Sequence, residues 1–297
     1  MAQLGKIGFN FARLALLSIL FFAILAFSSS LVVPYLPLAP AEPGPIDQLT
    51  GVVIVSVACA LVIVLMIESS RWQGWKLIAA LSLAYYGAVT FVTQLEAWYF
   101  LFGKTIDSEL MPRLFLQGAP VAFLFIPAAI VVLWRVRTQQ EDNAKFEVMP
   151  IKEWLWKLAV IAAVYLIVYH LAGYFIAWQN PDLRAFYNQP GAPLPFFKQI
   201  LNLIKTDPWL NPYQILRAMI WTACALPILR GSRWNRWQTA LVVGLMFSVP
   251  QNIGHILPNS LIPLNSVRLS HMIETASSTF IFGLVVSWLL YPKKIEK

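Results

Sequence analysis

The stretch Leu49-Thr-Gly-Val-Val-Ile-Val-Ser-Val-Ala-Cys59-Ala-Leu-Val-Ile-Val-Leu-Met-Ile67 runs for 19 residues without one charged side chain. As a helix rising 1.5 Å per residue it covers about 28 Å, close to the thickness of bilayer hydrocarbon. It has none of the period-two alternation expected of a membrane barrel strand. Working outward, comparable runs occupy 12–34, 77–99, 114–134, 156–177, 213–230, 238–256 and 267–290, which makes eight. The weakest is 213–230, because it carries Arg217 and Pro227.

Composition agrees. The 297 residues are 59% hydrophobic and 12% charged, so no polar block is large enough to fold apart from the apolar runs. The expected fold is an all-α, polytopic membrane helical bundle with about eight transmembrane helices, forming a single integral membrane domain over 1–297. The first run superficially resembles a secretory signal, with Lys6 and Arg13 before it and Ser28, Ser29 and Ser30 near its end. Apolar residues resume at Leu31, Val32 and Val33, so a retained helix is expected. Cys59 and Cys224 both fall inside apolar runs, which implies no disulfide framework.

The net charge of +8 might point to nucleic acid, but its distribution fits membrane orientation better. With the N-terminus inside, fifteen Lys and Arg side chains fall in inner segments and six in outer ones, Arg217 lying within a span. That asymmetry follows the positive-inside rule and expects both termini in the cytoplasm of a cell with this chain in its plasma membrane. Membrane lipids are the expected partners, with a lipid or small solute as ligand or a membrane complex as host; nucleic acid is not. Trp98, Trp134, Trp156, Trp178, Trp234 and Trp237 lie near span ends, where amphipathic rings anchor.

Between the spans, Pro34, Pro37, Pro40, Pro43 and Pro45 should stiffen the first outer loop. The polar inner loop from Arg135 to Glu153 should join two four-helix halves, which show no detectable repeat. The long outer loop, 179–212, opens with Asn180-Pro181, a plausible helix start. Farther on, Phe196, Phe197, Ile200, Leu201 and Ile204 interleave with Lys198, Gln199, Asn202 and Lys205. That pattern expects a short interfacial amphipathic helix, serving as a lid, a lipid-gathering platform or a simple seal. Pro120, Pro127, Pro227 and Pro250 lie within spans and should bend them.

The chain has only three histidines, His170, His255 and His271, and all fall in or beside spans. The orientation above puts Gln94 and Glu96 (span three), Arg217 (span six), Asn252 and His255 (span seven) and Arg268, His271 and Glu274 (span eight) at similar outward depth. Charged and imidazole groups in hydrocarbon need partners or a purpose, so they should turn inward together. His271, Glu274 and Ser278 share one helical face by their spacing of three and four. The expected site has His271, Glu274 and His255 as catalytic residues, and Arg217, Arg268, Glu96, Gln94 and Asn252 as substrate-binding residues. The competing structural reading pairs Glu274 with Arg217 or Arg268, and Glu96 with Arg113, purely to hold helices together.

A metal site from His255, His271 and Glu274 matches zinc or non-haem iron in residue type, but the spacing selects no metal and no haem. No metal is assigned and the cofactor stays unknown. Nucleotide-binding glycine motifs and the nucleophile elbow are absent from the sequence. Three functions stay open: acid–base chemistry on a lipid or lipid-linked substrate, proton-coupled transport, or a non-catalytic subunit or assembly factor of a membrane complex.

Overall fold

A computed structural model describes residues 11–38, 40–136 and 146–293. Lys6, Arg137, Lys145, Lys294 and Lys297, all counted above as inner charges, lie outside the described residues. Among those described, the chain is an all-helical bundle with no strand, and its β features are isolated bridges such as Ser70 with Ser232 and Phe102 with Ile106.

Helices α1 (Phe11–Ser30) and α2 (Gln48–Ser69) pack side by side. α1 seats Leu17 and Phe21 in the core, the Phe21 ring meeting Phe125 edge-on at 5.0 Å. Asp47 caps α2 by accepting a hydrogen bond from the Thr50 amide. Each of the next two long helices contains a π turn. The first joins α3 (Gly74–Tyr85) and α4 (Val92–Leu101) through Tyr86–Phe91, and the second joins α5 (Leu110–Gln117) and α6 (Ile126–Val132) through Val121–Phe125. The second turn lies between Pro120 and Pro127, whose missing amide donors loosen the normal ladder there.

Then come α7 (Ile151–Phe175), the short α8 (Pro181–Phe186) and α9 (Phe196–Thr206), and three long helices, α10 (Leu210–Gly231), α11 (Arg236–Asn252) and α12 (Asn265–Leu290). Asn235 and Gln238 form a capping box at the start of α11. A 3-10 turn, Ile253–Ile256, continues α11 beyond Pro250. There the side-chain amides of Gln251 and Asn252 donate back to the carbonyls of Phe247 and Ser248.

Among the described residues, seven helical stretches are long and apolar enough to cross a membrane: Phe11–Tyr35, Gln48–Ser69, Gly74–Leu101, Leu110–Val132, Ile151–Gln179, Arg236–Ile256 and Asn265–Leu290. The expected span at 213–230 is α10, a 22-residue helix too polar to join them by composition. Most polar residues along its length turn inward, and only Arg230 near its end is exposed among the charged ones. Gln214, Arg217 and Thr222 are all buried in the bundle.

The two ends of the bundle are built from different sets of helix ends. At one, α2, α10 and α12 end while α3, α7 and α11 begin; the Arg71 amide donates to the Gly231 carbonyl and the Arg233 amide to Ser69. At the other, α4, α7 and α11 end while α10 and α12 begin. Midway, Tyr165, Trp221, Phe247 and Phe282 form a packed aromatic layer, with Trp221, Phe247 and Phe282 fully buried. α11 and α12 make the tightest crossing, because Gly283 lies directly against the backbone of Gly244.

Candidate functional site

At the end where α12 begins, a cavity of about 460 Å³ opens between α4, α7, α10, α11 and α12 and beneath α8 and α9. All three histidines of the chain line it. The π turn at Tyr86–Phe91 helps to make this possible: an extra residue in a turn rotates everything downstream by about 100° relative to a regular helix. It lies just before Thr93 and Glu96, both of which line the cavity.

His271 is the centre of the polar wall. Its Nδ1 lies 3.2 Å from Oε2 of Glu274, one turn along α12, and its Nε2 lies 3.0 Å from the Tyr187 hydroxyl. Burial pushes the Tyr187 phenol well up, and the Glu96 and Glu274 carboxylates add to the shift. The phenol keeps its proton, and the two contacts suit a neutral ring that accepts at Nε2 from Tyr187 and donates from Nδ1 to Glu274. Tyrosine, imidazole and carboxylate thus form one directed chain. His255 faces it with ring centroids 6.5 Å apart, and makes no hydrogen bond among the described residues. Gly173 of α7 leaves room beside the carboxylate, since a Cβ there would come only to 3.8 Å from Glu274 Oε1.

A second polar group lies across the cavity. Glu96 accepts a hydrogen bond from Arg217, whose other nitrogen donates to Gln214 Oε1 at 2.9 Å. Arg217 is fully buried and its guanidinium stands over the Trp221 ring at 5.0 Å. It is behind the cavity wall and reaches the cavity through Glu96. Nearby, Thr93 donates to Gln251, the Tyr99 hydroxyl donates to Asp207 at 2.7 Å, and His170 Nε2 is 2.9 Å from Asn211 Oδ1.

No family model, curated protein or solved structure matches this chain.

The expected site residues therefore divide by geometry alone. His255, His271, Glu274, Glu96 and Asn252 all line the cavity. Arg217 stands one layer behind. Gln94 does not line it, although it lies two residues from Glu96. Arg268, expected among the substrate-binding residues, does not line the cavity: it is fully buried and donates to the carbonyls of Ile262, Pro263 and Glu42, which fastens the first loop to the start of α12. The expected ion pairs are also redistributed. Glu96 pairs with Arg217, Glu274 with His271, and Arg113 with Glu109 at 3.5 Å, while the Arg113 guanidinium caps the Tyr35 ring. No group of three His, Cys, Asp or Glu side chains among the described residues is close enough to hold a metal ion, so the His255–His271–Glu274 metal reading gains nothing from the geometry.

Tyr187 is the participant that sequence reading missed. It lies in the long 179–212 loop, just after α8, and nothing in its spacing from α12 links it to His271. Its position depends on α8: Asn180 caps that helix and also donates to the Ser266 carbonyl and Ser270 hydroxyl, while Ser266 donates to Asp182. These bonds fix α8 onto α12 and deliver Tyr187 over the imidazole. Helix α9 closes the side of the cavity, with Gln199, Ile200, Leu203 and Thr206 toward it and Phe197, Leu201 and Ile204 exposed.

Proposed function

We propose that the protein is a membrane-embedded enzyme that carries out acid–base chemistry on a lipid or lipid-linked substrate at one end of the bundle. The observation that carries this reading is the Tyr187–His271–Glu274 chain set in the wall of a cavity rich in apolar and aromatic side chains. His271 Nε2 is the basic atom. A water or substrate hydroxyl that takes the place of the Tyr187 hydroxyl would give its proton to Nε2, and Glu274 would steady the resulting imidazolium through Nδ1–H. Tyr187, released from the ring, is then the donor for charge developing on the substrate. The exposed Phe197, Leu201 and Ile204 of α9 give an amphiphilic substrate a way to approach from the bilayer surface.

A carrier would need a polar path through the molecule. The aromatic layer of Tyr165, Trp221, Phe247 and Phe282 lies beneath the site, and it supports a one-ended site over a through-path. We further take α10 as the eighth crossing: it runs from the cavity to Gly231, at the far end beside Arg71. Its 22 residues span about 33 Å.

The test is turnover of a panel of phospholipids and polyprenyl phosphates by the purified chain in nanodiscs. With His271→Ala the rate should fall by about 10²–10⁴, the usual contribution of a positioned acid–base group. Tyr187→Phe should slow the reaction with folding intact. No turnover across the panel, or His271→Ala at the wild-type rate, would overturn the reading.

A further inference from the structure

The lining of the His271 cavity holds three carboxylates, Glu96, Asp207 and Glu274, and no lysine or arginine among the described residues. Apart from Ala39, the residues outside that set adjoin Phe11, Val136, Phe146 or Lys293, which stand at the other end of the bundle. Arg217 counters Glu96 from behind the wall. The other two carboxylates meet neutral donors: Asp207 the Tyr99 hydroxyl, and Glu274 the His271 ring and Thr275. Arg184 and Arg268, outside the lining, turn their guanidinium groups to backbone carbonyls. The cavity keeps an excess of negative charge.

Two buried acceptors in the wall are also open to a ligand. Glu274 is 8% exposed, and its contacts with His271 and Thr275 both use Oε2, so Oε1 accepts nothing among the described residues. Oε1 is the atom beside which Gly173 leaves room. Asn252 is 2% exposed, and its Nδ2 donates to the Ser248 carbonyl, which can only accept. That bond fixes the amide orientation and leaves Oδ1 without a partner among the described residues. A buried acceptor without a donor is costly, and a ligand that brings N–H groups removes the cost. The hydroxyls of Thr93, Thr275 and Tyr187 already give their protons to Gln251, Glu274 and His271. Phe100, Tyr169, Tyr174 and Trp178 add aromatic faces, which attract cations. Lys104 shows the same attraction nearby, its ammonium lying over Phe186 at 4.3 Å and Tyr187 at 5.0 Å.

We propose that this cavity binds a primary ammonium group, presented as the head of an amino phospholipid, with Glu274 Oε1 and Asn252 Oδ1 as its acceptors. A primary ammonium carries three N–H donors and a positive charge, which matches both the open acceptors and the excess of carboxylate. An anionic head would meet Asp207 and Glu274 with no lining cation to offset them. The acyl chains stay outside, against the exposed Phe197, Leu201 and Ile204 of α9. The head-group class rests on the reading of this cavity as the substrate site for a lipid.

The experiment titrates the full chain in a maltoside detergent with dioleoyl phosphatidylethanolamine, phosphatidylcholine and phosphatidylglycerol, and with free ethanolamine, reading occupancy by native mass spectrometry. The lipids share chains and phosphate and differ in the head: a primary ammonium, a quaternary ammonium without N–H, and a neutral diol. Phosphatidylethanolamine should bind about ten-fold more tightly than either of the others, the lower end for a hydrogen bond to a charged group. Glu274→Gln and Asn252→Leu should each remove most of that preference, with phosphatidylglycerol binding unchanged or tightened. Glu109→Gln, an exposed carboxylate outside the cavity, should leave the preference intact. Wild-type melting temperatures would separate loss of recognition from loss of fold, and the two variants act from different helices, α12 and α11. Phosphatidylcholine or phosphatidylglycerol binding as tightly as phosphatidylethanolamine, or a preference that survives both variants, would overturn the assignment. Free ethanolamine that displaces phosphatidylethanolamine at equal concentration would overturn the lipid source in favour of a soluble amine. Preferential binding without turnover of any lipid would support the head-group class while removing the enzymatic reading, and turnover without the preference would do the reverse.

Discussion

Arg217 and Arg268 are both fully buried guanidinium groups, yet only one can be disturbed from the cavity. Arg268 is held by backbone carbonyls of two loops and serves to lock them together. Arg217 is balanced by a single carboxylate, Glu96, which itself faces the cavity. Replacing Glu96 by Gln would leave a buried cation without its counter-charge, a loss of about 3 kcal/mol at the lower end for such pairs because Gln214 and Trp221 still hold the guanidinium. The expected outcome is a clear drop in melting temperature in detergent, partly restored when Arg217→Met is added. A Glu96→Gln protein that melts with the wild type would refute the pairing. The sequence marked these polar residues as costly in hydrocarbon but not how they would pair. Pairing depends on which way each helix is turned, and the π turn before Glu96 changes that by a fraction of a turn that no local pattern announces.

At the scale of elements, the apolar runs were legible because length and hydrophobicity are local properties, readable without neighbours. Tyr187 was not, because its place follows from bonds between α8 and α12 across more than eighty residues of chain. The crossing of α11 and α12 carries the same lesson. It brings His255, just past the end of one helix, opposite His271 near the start of the other, and its closeness rests on glycine. A Cβ on Gly283 would come within 2.7 Å of the Gly244 Cα, a backbone atom that can yield only if the helices separate. A Cβ on Gly244 meets first the Phe280 ring at 3.0 Å, which can turn aside. Gly283→Ala should therefore destabilise by about 1–3 kcal/mol, the usual cost of overpacking, and more than Gly244→Ala does. Thermal unfolding of the two variants side by side checks the order. The reverse order would mean that this contact does not set the crossing.

The whole molecule has two chemically different ends, and the long helices connect them. The cavity end gathers imidazoles and carboxylates under α8 and α9, while the other end gathers basic side chains around the close of α10 and α12. Between them the packed aromatic layer keeps the two regions apart. The inner–outer assignment follows if the basic end faces the cytoplasm, since Lys and Arg favour that side. It also requires α10 to cross: without it, the segments on either side of α10 would share a compartment. Two exposed positions decide the matter, Lys205 just before α10 and Arg233 just after it. In a Cys59→Ala, Cys224→Ala background, Lys205→Cys should react with a membrane-impermeant maleimide on intact cells, and Arg233→Cys only after the membrane is opened. The polarity of α10 is no obstacle, because Gln214, Arg217 and Thr222 turn toward protein and leave the hydrocarbon to its apolar side chains. If both cysteines label from the same side, α10 does not cross and the chain has an odd number of spans. If they label in reverse, the basic end faces outward and the His271 cavity opens to the cytoplasm.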